Sequence, residues 1–176
     1  MKIKDLIDNS CKENDLVLKF TIPGNPFGKE RTYSGNGRVF KRGKTAAYEL
    51  KGRTIWTHVT EPLECENPVK LKLKAYKPLP KAWPKWKKQA ALKHLIYPTV
   101  TPDLDNVEKM IMDTLNPRKV GRKKVPNSGL YKDDSQVVNL SIESWYDDNP
   151  RVEVELRFLP KLDKEKIKKY LKSQIK

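Results

Sequence analysis

The residues VKLKLKAY at 69–76 set Val69, Leu71, Leu73 and Ala75 against Lys70, Lys72 and Lys74. Side chains alternate across an extended chain, so this segment reads as a strand with one face in a core and a lysine stripe on the other. LVLKFTI (16–22) alternates likewise, with Leu16, Leu18, Phe20 and Ile22 against Val17, Lys19 and Thr21, and stops at Pro23-Gly24. QVVNLSIESWY (136–146) and RVEVELRFL (151–159) are two further strands, and the Asp147-Asp148-Asn149-Pro150 turn signal between them predicts a hairpin.

Helical spacing occurs between these strands. Residues 45–60 carry Ala47, Leu50, Thr54, Ile55 and Val59 on one stripe, with Thr45 as N-cap and Gly52 counting against the helix. Between Pro102 and Pro117 the inward stripe is Val107, Met110, Ile111, Thr114 and Leu115. The predicted order is β-α-β-α-β-β, an α+β fold around a mixed four-stranded sheet with terminal helices. The C-terminal segment 161–176, with Leu162, Ile167, Tyr170, Leu171 and Ile175, reads as a basic amphipathic helix. Without internal repeat or linker, residues 1–176 read as one domain whose core spans about 15–160.

Charge bounds the partners. Lys and Arg number 37 against 22 Asp and Glu, a net +15, which calls for a polyanion. Residues 24–44 are rich in turn formers and basic, a loop or hairpin. Residues 67–102 hold no acid before Pro102, but nine lysines, Tyr76, Trp83, Trp86 and Tyr97, a mixture suited to nucleic acid; the individual aromatics equally suit a core or an interface. A second basic block, PRKVGRKK at 117–124, follows the acidic helix. Candidate DNA-binding residues are Lys70, Lys72, Lys74, Arg118, Lys119, Arg122, Lys123 and Lys124. The two cysteines, Cys11 and Cys65, have no metal or redox spacing, and His58 and His94 are isolated, so thiol, zinc and triad chemistry drop out. No stretch approaches the ~18 apolar residues of a membrane span and the first residues lack a secretion signal, so a cytoplasmic location is expected.

Against this basic background stand two acidic clusters, TPDLDNVEK at 101–109 and GLYKDDSQV at 129–137. Asp103 and Asp105 lie where a loop enters a helix, and Asp133 and Asp134 where a strand begins. Hard carboxylate oxygens are what Mg²⁺ takes, usually one or two with water and phosphate. If the strand entrance lies beside the helix start, the clusters form one phosphodiesterase centre, with Lys109 available for developing negative charge. Each residue also has an ordinary explanation: Asp105 and Glu108 as a capping box, Asp105, Lys109 and Asp113 as an ion-pair ladder, Asp133 and Asp134 as turn residues.

DLDNVEKMIMDTLN, followed by GLYKDDSQVV and a strand, resembles the RusA family of Holliday junction resolvases over roughly residues 15–160. The carriers are D-x-D-N-x-x-K at a helix start and a later D-D-x-Q-V, with IPGNPFGKER as the early turn. The basic insert at 116–128 looks longer than the family minimum. The resemblance implies a homodimer that resolves four-way DNA junctions by paired, Mg²⁺-dependent nicks in recombination and repair, with Mn²⁺ able to stand in. It implies a bacterial or phage-derived protein. It places catalytic carboxylates at Asp103, Asp105 and Asp134, which also hold the metal, a supporting acid at Asp133, and a catalytic lysine at Lys109. The alternative is a nucleic-acid-binding module without catalysis, its carboxylates serving as caps and turns.

Overall fold

A computed structural model describes residues 16–31, 33–35, 38–40, 43–121, 123–160 and 164–174. The elements run β1 (Leu16–Pro23), β2 (Tyr33–Gly35), β3 (Arg38–Phe40), α1 (Gly43–Thr57), β4 (Val69–Pro78), α2 (Lys85–Leu92), α3 (Leu104–Leu115), β5 (Lys119–Val120), β6 (Lys123–Lys124), a 3₁₀ turn at Asp134–Gln136, β7 (Val137–Asp147), β8 (Arg151–Phe158) and α4 (Lys164–Gln174). The predicted β-α-β-α-β-β order is present as β1, α1, β4, α3, β7 and β8, and the α+β class with it.

The sheet is mixed and four-stranded, in the order β1-β8-β4-β7. β4 runs parallel to β7, through a crossover that carries α2 and α3, and antiparallel to β8. Alternation fixes the register. Ile22, Val152 and Ala75 form one row, and Phe20, Val154 and Leu73 the next, with Val107, Ile111, Leu115 and Trp56 packed in the same apolar cluster. Val69, Leu71, Leu73 and Ala75 are all buried.

One strand pairing departs from expectation. β7 and β8 are not a hairpin, because β4 lies between them. Pro78 ends β4 level with Asp147, and Tyr76 is already opposite Arg151, so the Asp148–Pro150 turn passes over the end of β4. The turn signal was sound; what it joins is next-but-one neighbours. Gly24 donates its N–H to the Pro150 carbonyl at 2.8 Å, tying the turn to the end of β1.

The face of α1 also differs. Its buried residues are Thr45, Gly52, Arg53 and Trp56, while Leu50 and Val59 are exposed, as are Ala47 and Thr54. The helix starts at Gly43, so Thr45 is inside its first turn and donates to Glu30 Oε2 at 3.3 Å. Most of the polar groups on this buried face are matched, with Arg53 Nε an exception. Arg53 donates to the Ser128 and Asp113 carbonyls at 3.1 and 2.6 Å and to Glu49 at 3.1 Å, and Trp56 Nε1 to the Thr114 carbonyl at 3.0 Å. A buried guanidinium is tolerable only with most of its donors engaged, here those on its two terminal nitrogens.

β2 and β3 form an antiparallel ribbon in the predicted basic loop, and β5 with β6 a second one after α3. α2, not expected from the sequence, packs on β7 and buries Ala91. Trp83 meets the ring of Tyr146 edge-on at 5.1 Å, whereas Trp86 and Tyr97 are exposed. His94 and Tyr97 both lie against Trp145. Cys65 is half-buried. In α4, Ile167, Tyr170 and Leu171 are exposed. Cys11, Leu162, Ile175 and Arg122 lie outside the described residues. No helix among the described residues is long and apolar enough to cross a membrane.

Candidate active site and its two acidic ends

The first acidic cluster sits at the start of α3. Asp103, with extended backbone, is the N-cap and Asp105 lies in the first turn, so the capping box centred on Asp105 is not the arrangement found. The Asp103 side chain makes no capping hydrogen bond and is exposed. Asp105 accepts from Lys109 Nζ at 2.9 Å, one turn on and on the same face. That hydrogen bond, with the lysine's charge, holds the Asp105 carboxyl below its ordinary value. Asp105 stands in the first turn, at the positive end of the helix dipole, which favours its charged form.

The loop before α3 is pinned from below. Alternation along β4 brings Lys77 into phase with Val69, Leu71, Leu73 and Ala75, so its side chain enters the interior side of the sheet. Only 4 % of Lys77 is exposed; its Nζ donates to the Pro102 carbonyl at 2.9 Å and to the Val100 carbonyl. Burial lowers its pKa, and the negative charge of Asp103 opposes that shift. The loop after β1 closes the other side: Lys29 N–H donates to the Asn106 carbonyl at 2.9 Å, and a Cβ on Gly28 would come within 2.8 Å of Pro102. Between these loops lies an open cleft of about 360 Å³ bordered by Lys29, Asp103 and Asn106. Lys77 carries no signal in the motif itself; its phase on β4 is the clue to it.

The second acidic cluster is fixed by Gln136. Asp133 caps the 3₁₀ turn, accepting from Ser135 N–H at 3.1 Å, and Gln136 Oε1 accepts from the Lys132 and Asp133 N–H groups. Gln136 Nε2 donates to the Cys65 and Asn67 carbonyls at 2.7 and 2.9 Å, locking the turn to the segment before β4. Lys124 of β6 donates to Asp133 Oδ2 and to the Lys132 carbonyl, both at 2.7 Å. The Lys124 ammonium and the Ser135 N–H together press the Asp133 pKa far down. Asp134 is exposed and makes no side-chain hydrogen bond or ion pair among the described residues.

The two clusters stand at opposite ends of the fold. Asp103 is beside Lys77, near the C-terminal end of β4, while Val137, just after the second cluster, pairs with Val69 at its N-terminal end. α3 runs between them: its C-terminal Leu115 carbonyl accepts from Leu130 N–H at 2.9 Å, and Tyr131 donates to the Met112 carbonyl at 3.4 Å. At about 1.5 Å per residue, α3 interposes about 18 Å of helix. Accordingly no group of three or more His, Cys, Asp or Glu residues with metal-holding geometry occurs among the described residues. The acid nearest the second cluster along α3 is Asp113, which is paired with Lys29 at 2.7 Å.

Of the candidate DNA-binding residues, Lys70 and Lys72 are exposed on the outer face of β4 and Lys74 is half-buried there. Glu155 and Glu153 of β8 lie directly opposite Lys72 and Lys74, so part of that stripe is charge-matched. Arg118, Lys119, Lys123 and Lys124 are exposed on and around the β5–β6 ribbon.

Residues 23–157 match the model for endodeoxyribonuclease RusA. The chain belongs to the RusA endodeoxyribonuclease family. It is also 36 % identical over 147 residues to a protein of Bacillus subtilis strain 168 described as uncharacterized protein YqaN, a match covering 80 % of this chain and 95 % of the relative. The RusA match begins at the end of β1 and closes in β8, so it includes both acidic ends and the α3 helix that runs between them.

Proposed function

We propose that this RusA-family chain is a Mg²⁺-dependent endodeoxyribonuclease that nicks four-way DNA junctions, and that it works as a homodimer whose metal sites form between subunits. The observation that carries this reading is the separation of the two motifs within one chain. Among the described residues each end presents one exposed carboxylate that makes no hydrogen bond or close ion pair with a lysine, Asp103 at one, with the buried Lys77 near it, and Asp134 at the other, while Asp105 and Asp133 are lysine-paired. In a chain of net charge +15, exposed carboxylates not closed off by a hydrogen-bonded lysine are available to a further cation.

The donor set fits a hard divalent ion, since every candidate ligand is a carboxylate. One chain supplies Asp103 and Asp105 together; Asp134 comes from the partner. When bound, the cation activates water and offsets charge on the scissile phosphate. The chain's own residues do the positioning. Lys77 fixes the loop that ends in Asp103, Gln136 holds the turn that presents Asp134, and Lys109 keeps Asp105 ionised while placing an ammonium beside the reaction zone. A two-fold dimer then offers two equivalent sites to the two like strands of a junction.

Asp103→Asn and Asp134→Asn, each alone, are expected to bind a synthetic four-way junction without cutting it. Mixed and allowed to exchange subunits, they restore Mg²⁺-dependent nicking, because a heterodimer contains one site with both aspartates intact. No restoration in exchanged heterodimers overturns the shared site. Junction binding by the unaltered protein with no product under Mg²⁺ or Mn²⁺ overturns the nuclease reading in favour of a binding module.

A further inference from the structure

The aromatic rings of this chain divide into covered and open ones. Tyr76 is buried beneath the Arg151 guanidinium, 3.7 Å above its ring, and Trp83 packs on Tyr146 with Lys87 Nζ 4.2 Å from its own ring. His94 and Tyr97 are both exposed, and both lie on Trp145. His94 is nearly parallel to the indole, with centroids 4.2 Å apart and 19° between the planes; Tyr97 stands at 5.5 Å and 41°. The indole is held from behind, because its Nε1 donates to Glu143 at 3.1 Å. Three rings are thus stacked outward from the sheet, and the outer two are open to solvent.

The backbone at His94 is unusual for its residue type. α2 closes in a Schellman motif, with the His94 N–H donating to the Ala91 carbonyl and the Leu95 N–H to the Ala90 carbonyl, both at 2.9 Å. That motif puts the residue after the cap in the left-handed region, φ 58° at His94, where glycine is the usual occupant. A side chain there carries a conformational cost, and such outliers gather at functional sites. What this one gains is a ring on Trp145.

We propose that His94, Tyr97 and Trp145 form a stacking platform for one nucleobase uncovered at a branch point of bound DNA. This rests on the DNA reading above and adds to it a contact with a base. Place and charge favour that occupant. Trp145 pairs with Tyr76 and Tyr146 with Lys77, so the rings stand one residue along the sheet from the lysine that pins the Asp103 loop. The chain from Tyr97 runs directly into that loop. No acid occurs between Asn67 and Pro102, while Lys85 and Lys93 are exposed at the two ends of α2. A polyanion is therefore drawn to the segment that carries the rings. Stacking on aromatic side chains is indifferent to base identity, since every base has a π-face. An intact duplex keeps those faces covered and a branch point does not. The platform accordingly separates branched from linear DNA without reading sequence.

His94→Gly is the decisive variant, because glycine suits the left-handed backbone and removes only the ring. Tyr97→Ala, at an exposed position, removes the second. Fluorescence anisotropy without divalent cation reads binding to a labelled four-way junction and to linear duplex of the same length. The double variant is expected to bind the junction about 5- to 100-fold more weakly, with duplex affinity and the salt slope unchanged because no phosphate contact is lost. Circular dichroism and melting of His94→Gly are expected to match the unaltered chain. A junction carrying 5-iodouracil at the branch point, irradiated in the complex, is expected to cross-link to His94, Tyr97 or Trp145. Unchanged junction affinity overturns the platform and leaves the patch to a protein partner. Equal losses on junction and duplex, or cross-links confined to other residues, overturn it as well. The two readings fail separately. A junction preference that depends on these rings in a protein that never cuts keeps the platform and removes the nuclease; junction nicking with junction affinity unmoved by the double variant keeps the nuclease and removes the platform.

Discussion

Gly52 shows how a single residue can be misjudged from local preference. In the sequence it weakens a helix, since glycine costs about 1 kcal/mol relative to alanine in a helix interior. In the fold it is the point where α1 meets α3 and β1: a Cβ there would stand 2.4 Å from Thr114 Cγ2 and 3.2 Å from Ile22 Cδ1. Thr114 cannot easily turn aside, because it is buried and its hydroxyl donates to the Met110 carbonyl at 2.9 Å. Overpacking costs typically about 1–3 kcal/mol, which matches or exceeds the gain in helix propensity. Gly52→Ala is therefore expected to destabilise by up to about 2 kcal/mol net of that gain in urea unfolding. Lys77 was hidden for a related reason. Its type says surface, and only its phase in the β4 alternation says interior.

Among the elements, those with strong periodicity were legible and those defined by tertiary choice were not. β1, β4, β7, β8 and the buried stripe of α3 follow from spacing alone. The insertion of β4 between β7 and β8 does not, because a turn signal reports that the chain reverses, not which strand fills the gap. The buried face of α1 escaped because it is built from glycine, arginine and tryptophan with most of their polar groups matched by distant carbonyls. The site was legible as residues; its division between two ends depends on the direction of α3 against β4. The 3₁₀ turn before β7 carries an element-scale prediction. The paired and capped Asp133 has its pKa lowered in the folded protein, so its contribution to stability is present above the ordinary carboxylate range near 4 and is lost as pH falls through the lowered value. Asp133→Asn is expected to melt lower at pH 7 but to lose less on acidification from pH 5 to pH 2. The difference between the two proteins shrinks in high salt, because Lys124 and Asp133 are both substantially exposed. Equal acid slopes would show that the cap and ion pair add nothing.

For the molecule as a whole, +15 states how much positive charge there is but not where it is usable. The sequence marks the β4 lysine stripe and the 117–124 block as equal candidates for phosphate contact. The fold separates them. Lys72 faces Glu155, itself bound to Lys19 at 2.9 Å, and Lys74 faces Glu153. Counterions have already been displaced there by carboxylates, so a phosphate has less to gain. Lys119 and Lys123 instead project from the β5–β6 ribbon, exposed, with lysine and valine opposite them rather than acids. Each phosphate contact contributes about 0.9 to the slope of log K against log salt on duplex DNA. Lys119→Gln with Lys123→Gln is thus expected to flatten the slope for junction binding by up to about 2, and Lys72→Gln with Lys74→Gln by clearly less. Fluorescence anisotropy with a labelled junction across a salt series reads both. If the β4 pair flattens the slope more than the ribbon pair, the DNA lies on the open face of the sheet rather than along the ribbon that leads to Asp133 and Asp134.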